Sequence, residues 1–498
     1  MAQESAIKIG KKAFLFSALI IFVLMIASGI LTIVLPAGAY DRIVEDGRTL
    51  VVNGSYQEVP RPNYPFWRWF TAPVEILFGP DNLTPIVLII FIATVGGSIA
   101  VLENAGILKN LVDMLVARFV KRKYLLISLL IFFFMFVSSF VGIYEGMVPM
   151  VIFILPIAIS LGWDSLTGLG MSLLPLAFGF ASSVTCPFTI AVAQRIADLP
   201  LFSGAWLRII FFIVIFFLVN AFVIRYAKKV EAEPSKSLCY REDEALRLKL
   251  RTDNSAANEK KASAVPSAST ASTASADRRK WRGLFWFTGC LAIAMIIVVA
   301  TARIPGFSDL AFPVMTLLFL AGGIGGGLIA GIGMRKTWSG FLRGVLNILP
   351  GIVLVLMAYS VKHIITTGKI MDTILYASAE LIQRSPPMAA AFLIYAVTLV
   401  MNFFIGSASA KAFLMMPLLT PLADLVGITR QTAVMAFDFG DGFSNMIFPT
   451  NALLLIALSF SVVGYTKWMA WTWKLQAVIL LITSAFLAFA VWIRFGPF

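Results

Sequence analysis

Apolar runs about as long as a membrane crossing recur along this chain, at residues 14–35, 86–102, 125–141 and 206–224. A helix needs roughly 20 such residues to traverse the hydrocarbon core of a bilayer. Several of them in one chain of 498 residues, 59% hydrophobic and only 13% charged, exclude a soluble domain and a protein held by a single anchor. The expected fold class is an all-α polytopic membrane protein. The 14–35 run follows a polar, basic start and is longer than the apolar region of a cleaved signal peptide, so it reads as a retained first helix.

The formal charge of +14 would suggest nucleic acid in a soluble protein. In a membrane protein it first reports topology, because Lys and Arg collect on the cytoplasmic side. Basic clusters lie at residues 8–12, 121–123, 225–229, 279–282 and 335–336. No nucleic-acid partner is expected; the lipid bilayer is. Three scattered cysteines and one histidine give neither a disulfide framework nor a metal site, so no cofactor is expected beyond a coupling Na+ or H+.

Residues 230–282 contain "SAVPSASTASTASADRRK", a composition that cannot bury a core and reads as a flexible cytoplasmic linker. It separates two halves that resemble each other. Phe140/Phe404 and Gly142/Gly406 share one offset, and Pro156/Pro421 and Gly162/Gly427 follow after one inserted residue. "AFGFASSVTCPF" from Ala177 meets "DFGDGFSNMIFPT" from Asp438, and Gly106 meets Gly368. The expected division is a first transmembrane helix with an extracellular segment (1–82), a first repeat (83–229), the linker (230–282), two connecting helices (283–340) and a second repeat (341–498).

With the amino terminus in the cytoplasm, the basic clusters give about nine crossings. The second repeat then starts on the opposite side from the first, so the repeat is inverted, an architecture of transporters. Each half holds one re-entrant hairpin, breaking at residues 142–146 and 406–410, and one broken helix; the two hairpins open to opposite sides. Lys362, His363, Lys369 and Arg384 fall outside in this scheme, against the basic bias.

Backbone freed by a helix break is tolerated at membrane depth only inside protein or beside a water-filled cavity. Where such breaks meet near the midplane, half-helix ends hold ions and substrate. "AFDFGDGFSNMIFPTN", residues 436–451, is the most polar of these regions. An ionised aspartate at a helix centre costs roughly 2.5–3.5 kcal/mol on insertion scales. Asp438 and Asp441, placed at this break, are therefore read as cation, proton or substrate-amine sites. The competing reading is a structural one, capping half-helix ends or pairing with Arg430.

Lys411, on the second hairpin in "GSASAKAFLMMP", can take a substrate carboxylate with help from Ser407 and Ser409. Alternatively it snorkels to the interface or pairs with an aspartate. Glu145 at the first hairpin tip can handle a cation or proton, or cap the tip. Ser183 and Thr185 supply hydroxyls at the first-half break, and Asn445 and Thr450 supply polar groups at the second. A Na+ ion would sit near Gly142, Gly406 and Asp441. "GGIGGG" at 322–327 lacks the context of a phosphate loop and reads as close helix packing.

Two longer stretches, "GFASSVTCPFTIAVAQRIADLPLFSGAWLR" (179–208) and "GSASAKAFLMMPLLTPLADLVGITRQTAVMAFDFGDGFSNMIFPT" (406–450), resemble the two signatures of YfcC-like membrane proteins. That group belongs to the four-carbon-dicarboxylate anaerobic carrier family of the ion transporter superfamily. "LPAGAYDR" (35–42) and "GSYQEV" (54–59) resemble its extracellular segment. The resemblance implies a secondary transporter with paired hairpins and broken helices, for dicarboxylates or amino acids. The chain departs from the pattern at Cys186, where asparagine precedes the proline, at the first hairpin tip, where a second acid accompanies Glu145, and at Asp438, where glutamine is commoner.

The expected function is ion-coupled symport or exchange of a small carboxylate-bearing solute, an amino acid or a dicarboxylate, across the cell inner (plasma) membrane. The rival classes are a channel and an intramembrane aspartyl enzyme. Two aspartates three apart on one segment are poorly placed as a catalytic dyad, and no enzyme activity is expected. A homodimer stays open.

Overall fold

The computed structural model describes residues 11–45, 48–79, 82–244, 246–248, 269–301 and 311–496. Helices dominate it, and nine helical stretches among the described residues are long and apolar enough to cross a membrane. They include Phe14–Val34, Leu83–Asn104, Met334–Thr367, Tyr465–Trp492 and both arms of the second hairpin, Pro387–Phe404 and Ala408–Val426. Pro313–Ile329 is apolar but shorter.

Small residues set the tightest crossings. A side-chain carbon on Gly344 would lie 2.3 Å from the Gly96 carbonyl oxygen, so the Met334–Thr367 and Leu83–Asn104 helices approach backbone to backbone. In "GGIGGG", the same construction on Gly323 meets Ser98 at 2.3 Å and on Gly325 meets Trp286 at 2.3 Å. The glycine run packs one helix against two others, the close packing its sequence predicts.

All four expected interruptions are present. The helix Lys123–Phe136 ends in a π-helical turn, Val137–Val141, and the chain resumes at Glu145–Met150. Leu173–Ser182 stops before Ile190–Ile196, Pro387–Phe404 before Ala408–Val426, and Phe443–Met446 before Ala452–Ser459. Gly142 (φ 79°) turns the first of these breaks, in a left-handed conformation that glycine tolerates best. The bend also needs a bare Cα, since a methyl there would meet Phe188 at 2.8 Å and Cys186 Sγ at 2.9 Å.

The segment expected outside folds as one short hairpin enclosed by a second two-stranded ladder. Gly38–Ala39 pairs with Gln57–Glu58, and Arg42–Glu45 with Arg48–Val51, both antiparallel. Arg42 Nη2 grips both oxygens of Asp372, at 2.9 and 2.8 Å, while the Tyr40 backbone N–H donates to the same carboxylate at 2.9 Å. Asp372 lies in the first turn of Met371–Gln383 and is 4% exposed. One shielded carboxylate thus clamps the cap to the helices.

The stretch read as a linker is docked at its start rather than free. Asp164 caps Ser165–Gly170 by accepting from the Thr167 N–H, and also accepts from Tyr226 and Ser237, each at 2.7 Å. Asp243 accepts from the Ser165 N–H at 2.9 Å and from its hydroxyl. Lys467 Nζ donates to the Leu238 carbonyl at 2.7 Å and pairs with Glu242. Composition missed this because the anchors are single polar residues, not an apolar face. Ser269–Thr301 is one helix, and residues 249–268 lie outside the described residues.

Candidate substrate and ion site

The helix Arg430–Gly442 is enclosed along nearly its whole length, with every residue from Gln431 to Gly442 buried. Its entry is fixed by Thr429, whose hydroxyl accepts from the Thr432 N–H. Near its end, methyl groups added to Gly440 and Gly442 would come within 2.6 Å of Thr398 and 2.2 Å of Ala181. Bare backbone therefore lets this helix press against both Pro387–Phe404 and Leu173–Ser182. Asp438 and Asp441 sit inside it rather than at the break; the unwound stretch comes later, after Met446. Gly440 and Gly442 do not break the helix; they are there for packing.

Asp441 meets Lys411. The Lys411 ammonium bonds Asp441 Oδ1 and Asn402 Oδ1, and both charged side chains are 0% exposed. Lys411 stands in the first turn of Ala408–Val426, whose amino end Ser407 caps by accepting from Ala410 N–H. The Asn402 amide donates to the Asp441 carbonyl at 2.9 Å, to Ser444 Oγ at 2.6 Å and to Asn445 Oδ1 at 2.9 Å. Asn451 extends the chain, donating to Asn445 Oδ1 at 2.7 Å while capping Ala452–Ser459 through Leu453 and Leu454 N–H. A buried ion pair is held in place only when its remaining polar atoms find partners. Here Asn402, itself held by Asn445, provides one such partner to the ammonium, while Asp441 Oδ2 is left without one.

Asp438, one turn earlier, is 1% exposed and neither of its oxygens has a hydrogen-bond partner. It faces Ser183 and lies within electrostatic reach of Arg208 and Asp441. Arg208 is 1% exposed and donates to the carbonyls of Ser203 at 2.9 Å and of Val184 and Phe202 at 3.3 Å. Its Nε is unpartnered. Arg430, the alternative partner for the aspartates, pairs instead with Asp424 and Asp198 near the surface.

The hydroxyls mostly turn to backbone. Thr185 donates to the Phe140 carbonyl at 2.8 Å, and Thr450 to the Phe403 carbonyl at 2.6 Å. In each half, a threonine of the unwound stretch thus ties down the neighbouring hairpin break. Ser409 donates to the Phe188 carbonyl at 2.7 Å, joining the halves. Ser183 (φ 35°) bonds Thr189 at 2.7 Å. The three places expected for Na+ divide between two clusters. Gly142 packs against Cys186–Phe188 of the first half, whereas Gly406 faces Asn451 and belongs with Asp441. The Glu145 side chain lies outside the described residues.

Two site residues escaped sequence reasoning. Asn402 is a lone amide in the apolar run 387–404, four residues before Gly406, and that position was the available signal. Arg208 closes a quoted motif, yet nothing in its spacing tells a buried arginine from an interfacial one.

Among known proteins, the Escherichia coli (strain K12) protein named "Putative basic amino acid antiporter YfcC" is 28% identical over 482 residues, covering 90% of this chain and 91% of that one. An uncharacterized protein of Haemophilus influenzae is 24% identical over 444 residues, covering 89% of this chain and 82% of its own length. Two solved transporters align along nearly the whole length. The Alcanivorax borkumensis YdaH transporter is 18% identical with a TM-score of 0.39, covering 97% of this chain and 99% of that one. Neisseria gonorrhoeae MtrF is 16% identical with a TM-score of 0.42, covering 96% and 94%. The family model for the C4-dicarboxylate anaerobic carrier (DcuC) matches residues 15–492. That match takes in every break and every charged group described above: this chain is a membrane protein of the C4-dicarboxylate anaerobic carrier family.

Proposed function

We propose that this protein is a secondary active transporter, an ion-coupled symporter or exchanger, that moves a small amino acid by alternating access. The observation that carries the reading is the buried Lys411–Asp441 pair. A zwitterion offers one carboxylate and one ammonium, so it can replace each partner's contact with one of its own. Lys411 then holds the carboxylate, and Asp441 the amine, while the Asn402–Asn445–Asn451 row keeps both side chains oriented. Asp438, enclosed and without a hydrogen-bond partner, is the group for a coupling proton or cation. The name of the Escherichia coli relative agrees with an amino acid substrate.

Total enclosure of the pair favours a carrier over a channel, since an open conduction path would wet it. The repeat is taken as inverted, with hairpins that enter from opposite sides, in an inner membrane with the amino terminus cytoplasmic. Alternating access then exchanges which hairpin gives entry to the pair.

A dicarboxylate is the second reading, favoured by the second buried cation, Arg208, and by the family's name. Thermal stabilisation of the purified protein by panels of amino acids and of four-carbon dicarboxylates, with and without sodium, separates the two. Stabilisation by amino acids alone supports the leading proposal, stabilisation by dicarboxylates alone replaces it with the second, and response to neither overturns both.

A further inference from the structure

The Lys411 ammonium occupies the position in which an acidic site on a broken helix would hold a metal cation. Its two oxygen partners, a carboxylate oxygen of Asp441 and the amide oxygen of Asn402, are the hard donors that hard monovalent and divalent cations prefer. Both sit where the second hairpin meets the second broken helix. We infer that Lys411 is a tethered replacement for a coupling cation at Asp441, so that this carboxylate takes neither Na+ nor K+ in the native protein.

Two observations support the assignment. First, an ionised carboxylate that is 0% exposed requires a counter-charge, and a side chain fixed on the adjoining helix supplies one at a local concentration no dissolved ion matches. Second, the charges are present or absent together. By the offset that relates Gly142 to Gly406, Lys411 corresponds to Met147; by the one that relates Gly179 to Gly440, Asp441 corresponds to Phe180. Met147 and Phe180 are each 4% exposed, so the first half puts buried apolar side chains at both corresponding positions. A free metal site would require the acid alone; only a tethered counter-ion requires both residues.

The inference deepens the reading of this pair as the charge centre of transport, but its test involves no substrate. Removing Lys411 leaves three oxygens, both of Asp441 and one of Asn402, facing a cavity the size of the lost side chain. That site should accept Na+.

The full chain is purified, and its melting temperature is followed as NaCl replaces choline chloride at constant ionic strength. Wild type is expected to show no Na+ stabilisation that Asp441→Asn removes. Lys411→Ala melts well below wild type in choline and recovers by several degrees, saturably, as Na+ is added. Lys411→Ala/Asp441→Asn shows no such recovery. A saturable Na+ stabilisation of wild type that Asp441→Asn removes would overturn the inference. So would a monodisperse Lys411→Ala protein with equal melting temperatures in the two salts. Lys411→Gln serves as the second variant should Lys411→Ala yield no folded protein, and the wild-type comparison can refute the inference without either. Failure of the amino acid reading would leave these outcomes unaffected.

Discussion

Opening the Lys411–Asp441 pair from one side should cost far more stability than removing it altogether. Lys411→Met leaves the Asp441 carboxylate buried with no counter-charge, and Asp441→Asn leaves the ammonium in the same position. Truncating one partner of such a pair costs about 3–5 kcal/mol. Lys411→Met/Asp441→Leu leaves no charge at the pair and nearly the same volume. Its main loss is the partner of Asn402 Oδ1, a buried acceptor worth about 1–3 kcal/mol when left unsatisfied. The Asn402 amide keeps its bonds to Ser444 and Asn445. The double variant should therefore be more stable than either single one. Equilibrium unfolding in mixed micelles can be followed by tryptophan fluorescence, because Trp468 is 0% exposed and donates to the Met446 carbonyl beside the break. A double variant whose loss equals the sum of the two single losses would refute the pairing as the source of the cost.

Asp438→Asn should leave the protein as stable as wild type or more so, since neither carboxylate oxygen has a hydrogen-bond partner to lose, while flattening the dependence of transport on pH. Unchanged pH dependence would remove Asp438 from coupling. At the docked start of the 230–248 stretch, burial pushes the Asp243 carboxyl up to about 6 from its ordinary 3.8, against the hydrogen bonds from Ser165 and with Asp164 and Arg247 as charged neighbours. The docked form thus holds the proton more tightly than the undocked one, so docking is strongest at low pH. It should lose about 2 kcal/mol as pH rises from 4 to 6, at 1.36 kcal/mol per pKa unit separating the two forms, and level off above about pH 7. Labelling of the buried Cys239 by a pyridyl disulfide, relative to Asp243→Asn at each pH, should quicken over that window; a flat ratio contradicts it. Gly442→Ala should prevent normal assembly, because the methyl would lie 2.2 Å from Ala181 Cα. Gly289→Ala, with nothing within 4 Å, should be tolerated, as size-exclusion profiles of the two would tell.

The membrane helices and the interruptions were legible in the sequence, because hydrophobic length and glycine–proline breaks are local signals, except that the fourth falls after Met446 rather than at the aspartates. Lys411 and Asp441, singled out from the sequence as charged groups in two separate interrupted segments, meet as a buried pair in the structure. Three features were not legible, each for a physical reason. The docking of 230–248 depends on Asp164 and Asp243 meeting hydroxyls far away in the chain. The helical state of Asp438–Gly442 is set by the closeness of its neighbours, which makes glycine necessary there despite its poor propensity. Finally, Lys411 could take a carboxylate or pair with an aspartate by sequence alone; only distance tells which contact it makes, and here it is the aspartate.

Flux in proteoliposomes tests the central claim most directly. Wild type should show saturable uptake of an amino acid that follows an imposed ion gradient. Lys411→Met/Asp441→Leu, folded and inserted to the same extent, should show none. Equal uptake by wild type and this double variant, or flux that rises with concentration without saturating, would contradict the proposal that the buried pair is where this carrier binds its substrate.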